Sequence, residues 1–153
     1  MAASLLLSAA VAPAAAGGDP SARLRVVTAA GEVLVDVPLA DTGTWELAWT
    51  HSVARVRVRD SFAWRRSKMW LTDHRTPHLD IAGLGHTPGR GELRDDGEGG
   101  HWIAGIDLRL AGDVHRFIIG SAHAPTTLLH AGRVHDLSAS HPGAHARIEV
   151  IEP

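Results

Sequence analysis

The sequence predicts an all-β fold: a single-domain antiparallel sandwich or barrel of roughly nine short strands with one long glycine-rich loop. Three observations favour this class. Apolar and polar residues alternate along most of the chain, as they do in half-buried strands. Turn-forming Gly, Pro and Asp residues recur between the alternating segments. No stretch long enough for an amphipathic helix, about 12 residues, shows helical periodicity.

Alternating segments mark the predicted strands in chain order. They are residues 23–28, 32–39, 45–62 as a hairpin of two strands, 68–71, 101–110, 114–120, 126–137 and 145–152. Turn signals separate them, such as Gly31 in the first hairpin, Gly112-Asp113 before the strand at 114 and Ala131-Gly132 within 126–137. Residues 73–100 contain seven Gly and two Pro. That composition predicts a loop, because few of these residues favour regular structure.

The N-terminal residues are typical of a secretory signal peptide. Residues 2–16 are apolar or small and end in Ala-Pro-Ala-Ala-Ala before Gly17, although no Lys or Arg precedes them. The sequence therefore predicts a signal peptide at 1–16, a flexible N-terminus at 17–22 and the all-β domain at 23–153. It also predicts an exported, periplasmic protein with no transmembrane segment in the mature chain.

Composition excludes several classes of function. The 153 residues carry a net charge of −2 with His neutral and a pI near 6.6, so no basic footprint indicates nucleic-acid binding. The chain has no Cys, which excludes disulfides, thiol catalysis and thiolate metal sites. It has 11 His and no Tyr, so imidazole is the most abundant group that could titrate near neutral pH or bind a metal.

The predicted hairpin at 45–62 places two polar residues on its apolar face. With a turn at Val53-Ala54, Trp49 faces Val58 and Leu47 faces Asp60, and His51 continues the tryptophan side. Four strand positions separate His51 from Asp60, about 13 Å along the sheet, so the two side chains cannot hydrogen bond to each other. Each therefore needs a partner of its own.

The hairpin also carries a family resemblance. Trp-x-His-Ser-Val at 49–53, with a carboxylate nine residues after the His and an aromatic two further on, resembles the DUF1850 family. The stretch 82–89 matches the position of a glycine-rich loop, and 141–150 fits the terminal strand after a Pro-Gly. The matching hairpin residues are His51, Ser52, Val53, Val58, Asp60 and Phe62. Ala54 and Arg57 depart from the family, which usually has Glu and often Pro at these positions.

The resemblance implies an accessory role. Family members are small exported proteins, commonly encoded beside the fused permeases of TAXI-type TRAP transporters. We therefore expect a non-enzymatic accessory or binding protein of a TRAP-type (TAXI) solute uptake system. The expected partner is the permease or its substrate, and no cofactor is expected.

The first site hypothesis is a ligand pocket formed by His51, Ser52, Asp60 and Trp49 and covered by the glycine-rich loop at 83–91. A structural interpretation of His51 stands beside it, in which a core histidine bonds a backbone carbonyl at the hairpin end. Catalysis is not expected, because strand neighbours such as His51 and Ser52 point to opposite faces. The chain also lacks a Gly-x-Ser-x-Gly nucleophile elbow.

Two alternatives remain open. The first is a periplasmic Zn or Cu site: His78 and Asp80 share one side of an extended segment, and His86 lies in the same glycine-rich stretch. The second is a structural docking module that uses the face opposite the tryptophans. That face presents Arg55, Arg57 and Arg59, which either form a charged edge that prevents strand pairing or dock an acidic partner.

Overall fold

The computed structural model describes residues 22–78, 90–97 and 99–153. The predicted signal peptide at 1–16 lies outside these ranges, as do residues 83–89 of the predicted loop cover. Twelve strands occur in the described ranges: β1 (Arg23–Thr28), β2 (Val33–Pro38), β3 (Thr44–Thr50), β4 (Arg57–Arg65), β5 (Lys68–Thr76), β6 (Glu92–Asp95), β7 (His101–Ala104), β8 (Leu108–Arg109), β9 (Val114–Ile118), β10 (Thr127–His130), β11 (Arg133–Asp136) and β12 (His145–Ile151).

The strands form two antiparallel sheets. The smaller sheet has the order β2-β1-β12-β9, and the larger has the order β11-β10-β3-β4-β5-β7-β6, with β8 pairing with β5. The all-β prediction is confirmed, and of the two predicted architectures the sandwich is the one observed. A 3-10 turn at Ala111–Asp113 lies between β8 and β9. Nothing helical in the described ranges is long and apolar enough to cross a bilayer.

The hydrophobic core lies between the sheets, where alternate residues of each strand meet. Trp45 and Phe62 of the larger sheet are almost fully buried, and their rings stack with centroids 5.8 Å apart. The strands of the smaller sheet cover them with apolar side chains, among which Leu24, Val26 and Ile148 are fully buried. Burial of this apolar surface is the main favourable contribution to the stability of the sandwich.

Several predicted boundaries are wrong. The strand predicted at 68–71 continues to Thr76 as β5, and β6 lies inside the region predicted as loop. The segment at 101–110 is two strands, because Gly105 (φ +65°) ends the first of them. The segment at 126–137 is a hairpin of two strands, and the turn predicted at Ala131-Gly132 is confirmed, since both residues have positive φ angles. The strands β6, β8 and β11 account for the increase from roughly nine strands to twelve.

The arginine face has a different setting from the one predicted. Strand β4 pairs with β3 on one side and β5 on the other, so it is an interior strand of the larger sheet. The interpretation of Arg55, Arg57 and Arg59 as a charged edge that prevents strand pairing is therefore wrong. These arginines belong instead to a hairpin turn and to the outer face of the sheet.

Candidate functional site

The hairpin of β3 and β4 has the predicted register. Trp49 pairs with Val58, Leu47 with Asp60 and Trp45 with Phe62. Past the ladder, the His51 N–H donates to the Val56 carbonyl at 2.9 Å. The tryptophan side of the hairpin faces the smaller sheet, so Asp60 points inward together with the core residues.

Asp60 has two hydrogen-bond donors on neighbouring strands. The indole Nε1 of Trp49 donates to its Oδ2 at 2.8 Å, and Nδ1 of His74 lies 2.6 Å from its Oδ1. The His74 side chain is 2% exposed and that of Asp60 is 14% exposed. The carboxylate is therefore satisfied by Trp49 and His74, and not by His51, as the spacing along the strand predicts.

His74 is left with one unused ring nitrogen. A carboxylate accepts, so the proton of the shared hydrogen bond belongs to Nδ1 of His74. Its Nε2 is buried and has no hydrogen-bond partner among the described residues. The pairing of His74 with Asp60 differs from the sequence-based expectation, because residues 73–76 were predicted as loop and lie instead in β5 beside β4.

His51 occupies the end of the hairpin. Its Nδ1 accepts a hydrogen bond from the Ala54 N–H at 3.1 Å, and its ring lies 6.2 Å from that of Trp49. The side chain is half-buried. The interpretation as a core histidine bonded to a backbone carbonyl is therefore wrong in two respects, although His51 does stabilise the hairpin turn.

A cleft of about 630 Å³ opens between the end of this hairpin and β9. Its hairpin wall contains all four residues of the ligand hypothesis, His51, Ser52, Asp60 and Trp49. Its other walls come from residues 115–118 of β9 and from the segment 120–126. The cleft thus lies between β9, an edge strand of the smaller sheet, and the end of the β3–β4 hairpin, which is interior to the larger sheet.

The β9 wall contributes a half-buried imidazole. The ring of His115 lies 4.8 Å from that of Phe62 and 5.9 Å from that of Phe117. Burial lowers the pKa of His115 below its ordinary value of 6.5, and the negative charge of Asp60 opposes this only in part. A neutral imidazole here offers one donor and one acceptor to the cleft.

The segment 120–126 is held in place by buried hydrogen bonds. Ser138 Oγ donates to the Gly120 carbonyl at 2.7 Å and accepts from the Thr126 N–H at 2.8 Å. The Gly120 N–H donates to Thr126 Oγ1 at 2.9 Å. A Cβ at Gly120 would lie 1.8 Å from the Ala124 carbonyl oxygen, so only glycine fits this close backbone approach.

A family model describes this part of the chain. The model of DUF1850, a domain of unknown function, matches residues 45–137. The chain belongs to the DUF1850 family. The match contains every residue that lines the cleft and leaves out β1, β2 and β12 of the smaller sheet. No curated protein and no solved structure matches the chain.

The other predicted sites of this DUF1850 protein differ in outcome. For the metal alternative, His78 is exposed, while Asp80 and His86 lie outside the described residues. Across residues 22–78, 90–97 and 99–153, no group of three or more His, Asp or Glu side chains is arranged to hold a metal.

The three arginines of the docking hypothesis have different surroundings. Arg55 lies in the hairpin turn with φ +55° and is exposed. Arg57 is half-buried: its Nη1 donates to the Pro125 carbonyl at 2.8 Å and its Nη2 donates to Thr127 Oγ1. Arg59 is exposed, with its Nη1 3.7 Å from a Glu46 carboxylate oxygen. Arg57 therefore joins β4 to the segment before β10, whereas Arg59 faces solvent.

Proposed function

We propose that this DUF1850 protein is an exported, non-enzymatic binding protein that holds a small ligand in the cleft between its sheets. We further propose that it serves a TRAP-type (TAXI) solute uptake system, whose permease would be its partner. The observation that supports binding is the convergence of four hairpin side chains with His115 on one cleft of about 630 Å³. A cleft of this size suits a small organic molecule.

The lining favours a ligand with two different parts. Trp49 and Phe117 offer flat apolar surfaces, against which a planar or apolar group can pack. Asp60 offers a carboxylate whose two protein donors are an indole N–H and an imidazole N–H. Each carboxylate oxygen has a further lone pair, so a ligand cation or N–H group would find an acceptor beside the aromatic rings.

A binding experiment with defined probes tests this proposal. We would titrate the purified chain with tryptamine, indole-3-acetate and glucose and follow the backbone amide signals by NMR. The expected result is that the aromatic amine shifts signals of residues 49–52 and 115–118. Asp60→Asn should weaken its binding at least tenfold, while Asp36→Asn, a matched loss of one carboxylate on the smaller sheet, should not. If no probe shifts cleft signals at millimolar concentration, binding in the cleft is rejected.

Export and the transport role need a separate measurement. We would express the chain from its own start in a Gram-negative host and sequence the N-terminus of the protein released from the periplasm. The expected cleavage lies near Ala16, and the processed chain should co-purify with a TAXI-type permease expressed beside it. Retention of the intact chain in the cytoplasm would contradict export, and loss of co-purification would contradict the transport role.

One constellation outside the cleft favours an enzyme instead. His141 Nδ1 lies 2.7 Å from Ser140 Oγ, and His141 Nε2 lies 3.0 Å from a Glu32 carboxylate oxygen. This is the order of contacts in a nucleophile, base and acid, although Ser140 and Glu32 are exposed. A fluorophosphonate probe would separate the two functions. We expect no labelling, and labelling that disappears in Ser140→Ala would establish a reactive serine.

A further inference from the structure

The outer face of the larger sheet carries a row of cationic and aromatic side chains that crosses four strands. Arg59 of β4 is the direct cross-strand partner of Arg75 on β5. Arg75 is in turn the partner of Trp102 on β7, and Trp102 is the partner of Arg94 on β6. We call these four residues the arginine row. Adjacent strands are about 4.8 Å apart, so the row extends over about 14 Å.

Two guanidinium groups directly opposite each other are unfavourable in a sheet. Arg57 adds a third positive charge to the same face, because it lies two residues before Arg59 on β4. Burial and the charge of Arg59 both lower the pKa of Arg57 below its ordinary value, with partial opposition from Asp136. The charge of Arg59 is therefore close enough to Arg57 to disfavour its charged form.

Arg59 and Arg75 of the row differ in how their guanidinium groups are held. The guanidinium of Arg75 lies over the ring of Trp102, 4.5 Å from its centroid. A hydrogen bond at the edge of the indole ring holds it in place, since Trp102 Nε1 donates to Asp73 Oδ1 at 3.1 Å. Stacking on a ring occupies the face of a guanidinium and leaves its in-plane N–H groups free to donate. Within the described ranges the Arg75 side chain donates no hydrogen bond, and Arg59 has only the 3.7 Å ion pair with Glu46.

Three of the arginines on this face, Arg57, Arg59 and Arg75, line a concavity of about 390 Å³. The described residues that line it are Arg57, Arg59, Arg75, Thr76, Pro77, Asp96, Gly99 and Gly100. Asp96 contributes the one carboxylate among the described lining residues, and its Oδ1 accepts from the Gly100 N–H at 2.8 Å. Three cations thus line the concavity with a single carboxylate, which makes it attractive to anions.

We propose that this concavity binds an oxyanion group, a carboxylate or a phosphate, through the in-plane N–H groups of Arg59 and Arg75. Arginine forks match such groups with two parallel hydrogen bonds. Arg57 adds positive charge but few donors, because its Nη1 and Nη2 are already engaged by Pro125 and Thr127. The site is on the opposite face of the larger sheet from the cleft and does not depend on the proposed function.

Two probes distinguish a free anion from one carried on a protein partner. We would titrate the whole chain with inorganic phosphate and with a hexaglutamate peptide, in 20 mM and 200 mM NaCl, by NMR. Both probes should shift signals of residues 57–59 and 75–76, with weaker binding at the higher salt. Similar affinities per anionic group indicate a free small anion as the natural ligand. A peptide that binds more than tenfold tighter than phosphate indicates an acidic protein segment.

Matched variants establish whether the arginines form a site. Arg59→Gln and Arg75→Gln should each weaken binding of the preferred probe at least tenfold. Arg23→Gln removes the same charge from the smaller sheet, where Arg23 pairs with Asp36, and should change affinity less than twofold. Trp102→Leu keeps every charge but removes the ring under Arg75, so it should weaken binding by a smaller factor. Equal losses in Arg23→Gln and Arg75→Gln, or the absence of binding by the unmodified chain, would overturn the proposal.

Discussion

His74 and Asp60 are direct partners across β5 and β4, with 2.6 Å between Nδ1 and Oδ1. Trp49 on β3 completes the arrangement through its indole N–H. One carboxylate on the inner face therefore connects three consecutive strands of the larger sheet. Because Asp60 also lines the cleft, the same group stabilises the sheet and gives the cleft its acceptor. These hydrogen bonds explain why a carboxylate can lie on the apolar face of β4.

Removing this carboxylate should strongly destabilise the fold. Asp60→Ala leaves the N–H groups of buried His74 and half-buried Trp49 without their acceptor, at a cost of about 3 kcal/mol in the free energy of unfolding. Urea denaturation followed by tryptophan fluorescence measures the change. Asp36→Ala removes a carboxylate from an exposed ion pair with Arg23 and should cost less than about 1 kcal/mol. Similar losses in both variants would contradict the structural role of Asp60.

Arg57 and Arg59 should differ in their effect on stability although they are two residues apart on β4. Arg57→Ala removes the hydrogen bonds to the Pro125 carbonyl and to Thr127, and we expect a loss of about 2 kcal/mol. Arg59→Ala removes only an exposed ion pair and should change stability by less than about 0.5 kcal/mol. Thermal and urea unfolding of the two variants compare them directly. A larger loss of stability in Arg59→Ala than in Arg57→Ala would contradict these contacts.

Stability should fall as the pH is lowered below about 6.5, the ordinary pKa of histidine, and His115 should account for part of the loss. Its pKa is lowered in the folded protein because burial penalises the imidazolium, so the unfolded chain takes up the proton first. Unfolding is therefore favoured from about pH 6.5 down to the folded pKa, by at most about 1.4 kcal/mol per pH unit for one group. Stability is unaffected by this residue at higher pH.

Urea denaturation at pH 7.5, 6.5 and 5.5 measures the effect. His115→Gln should flatten the dependence on pH between 6.5 and 5.5, whereas His123→Gln, at an exposed position, should leave it unchanged. His130 should retain a dependence of the same sign, since burial and the nearby His135 lower its pKa and its Nε2 accepts from the Ala40 N–H. If the stability of His115→Gln still falls between pH 6.5 and 5.5 as much as that of the unmodified chain, His115 does not cause the loss.

Gly120→Ala should perturb the cleft wall. The added methyl group would lie 1.8 Å from the Ala124 carbonyl oxygen, so the segment 120–126 must shift, at a cost of about 1–3 kcal/mol. NMR signals at residues 120–126 and 115–118 should move, while those of the Trp45 and Phe62 core should not. Ser121→Ala, at an exposed neighbouring position, should change stability by less than about 0.5 kcal/mol. Equal effects of the two substitutions would contradict this close packing.

The register of the β3–β4 hairpin could be predicted from the sequence. Trp45, Leu47 and Trp49 alternate on one side and Val58 and Phe62 continue the pattern on the partner strand. A slip of one residue would expose the whole apolar set, so alternation determines both the register and the face. The same reasoning places Asp60 inward and excludes its contact with His51.

The partner of Asp60 could not be predicted. His74 lies within Asp73-His74-Arg75-Thr76, a polar stretch with no local strand signal. The stretch pairs with β4 and β7 as part of the larger sheet, and its own sequence does not predict this pairing. A register shift between Ser61 and Phe62 also changes which residues face each other. His115 was missed for a different reason. The alternation of Val-His-Arg-Phe-Ile places His115 on the side of Phe117, and that signal was available.

The order of strands in the smaller sheet has a consequence for synthesis. Strand β12, near the end of the chain, pairs with β1, near its start, and with β9. While the ribosome is still adding residues 137–144, the β1–β2 hairpin and β9 have no strand between them, and half of the sandwich cannot close over the tryptophan face. Pairings between such distant segments form slowly. Until β12 pairs with both β1 and β9, the apolar face of the larger sheet stays partly uncovered, which favours aggregation.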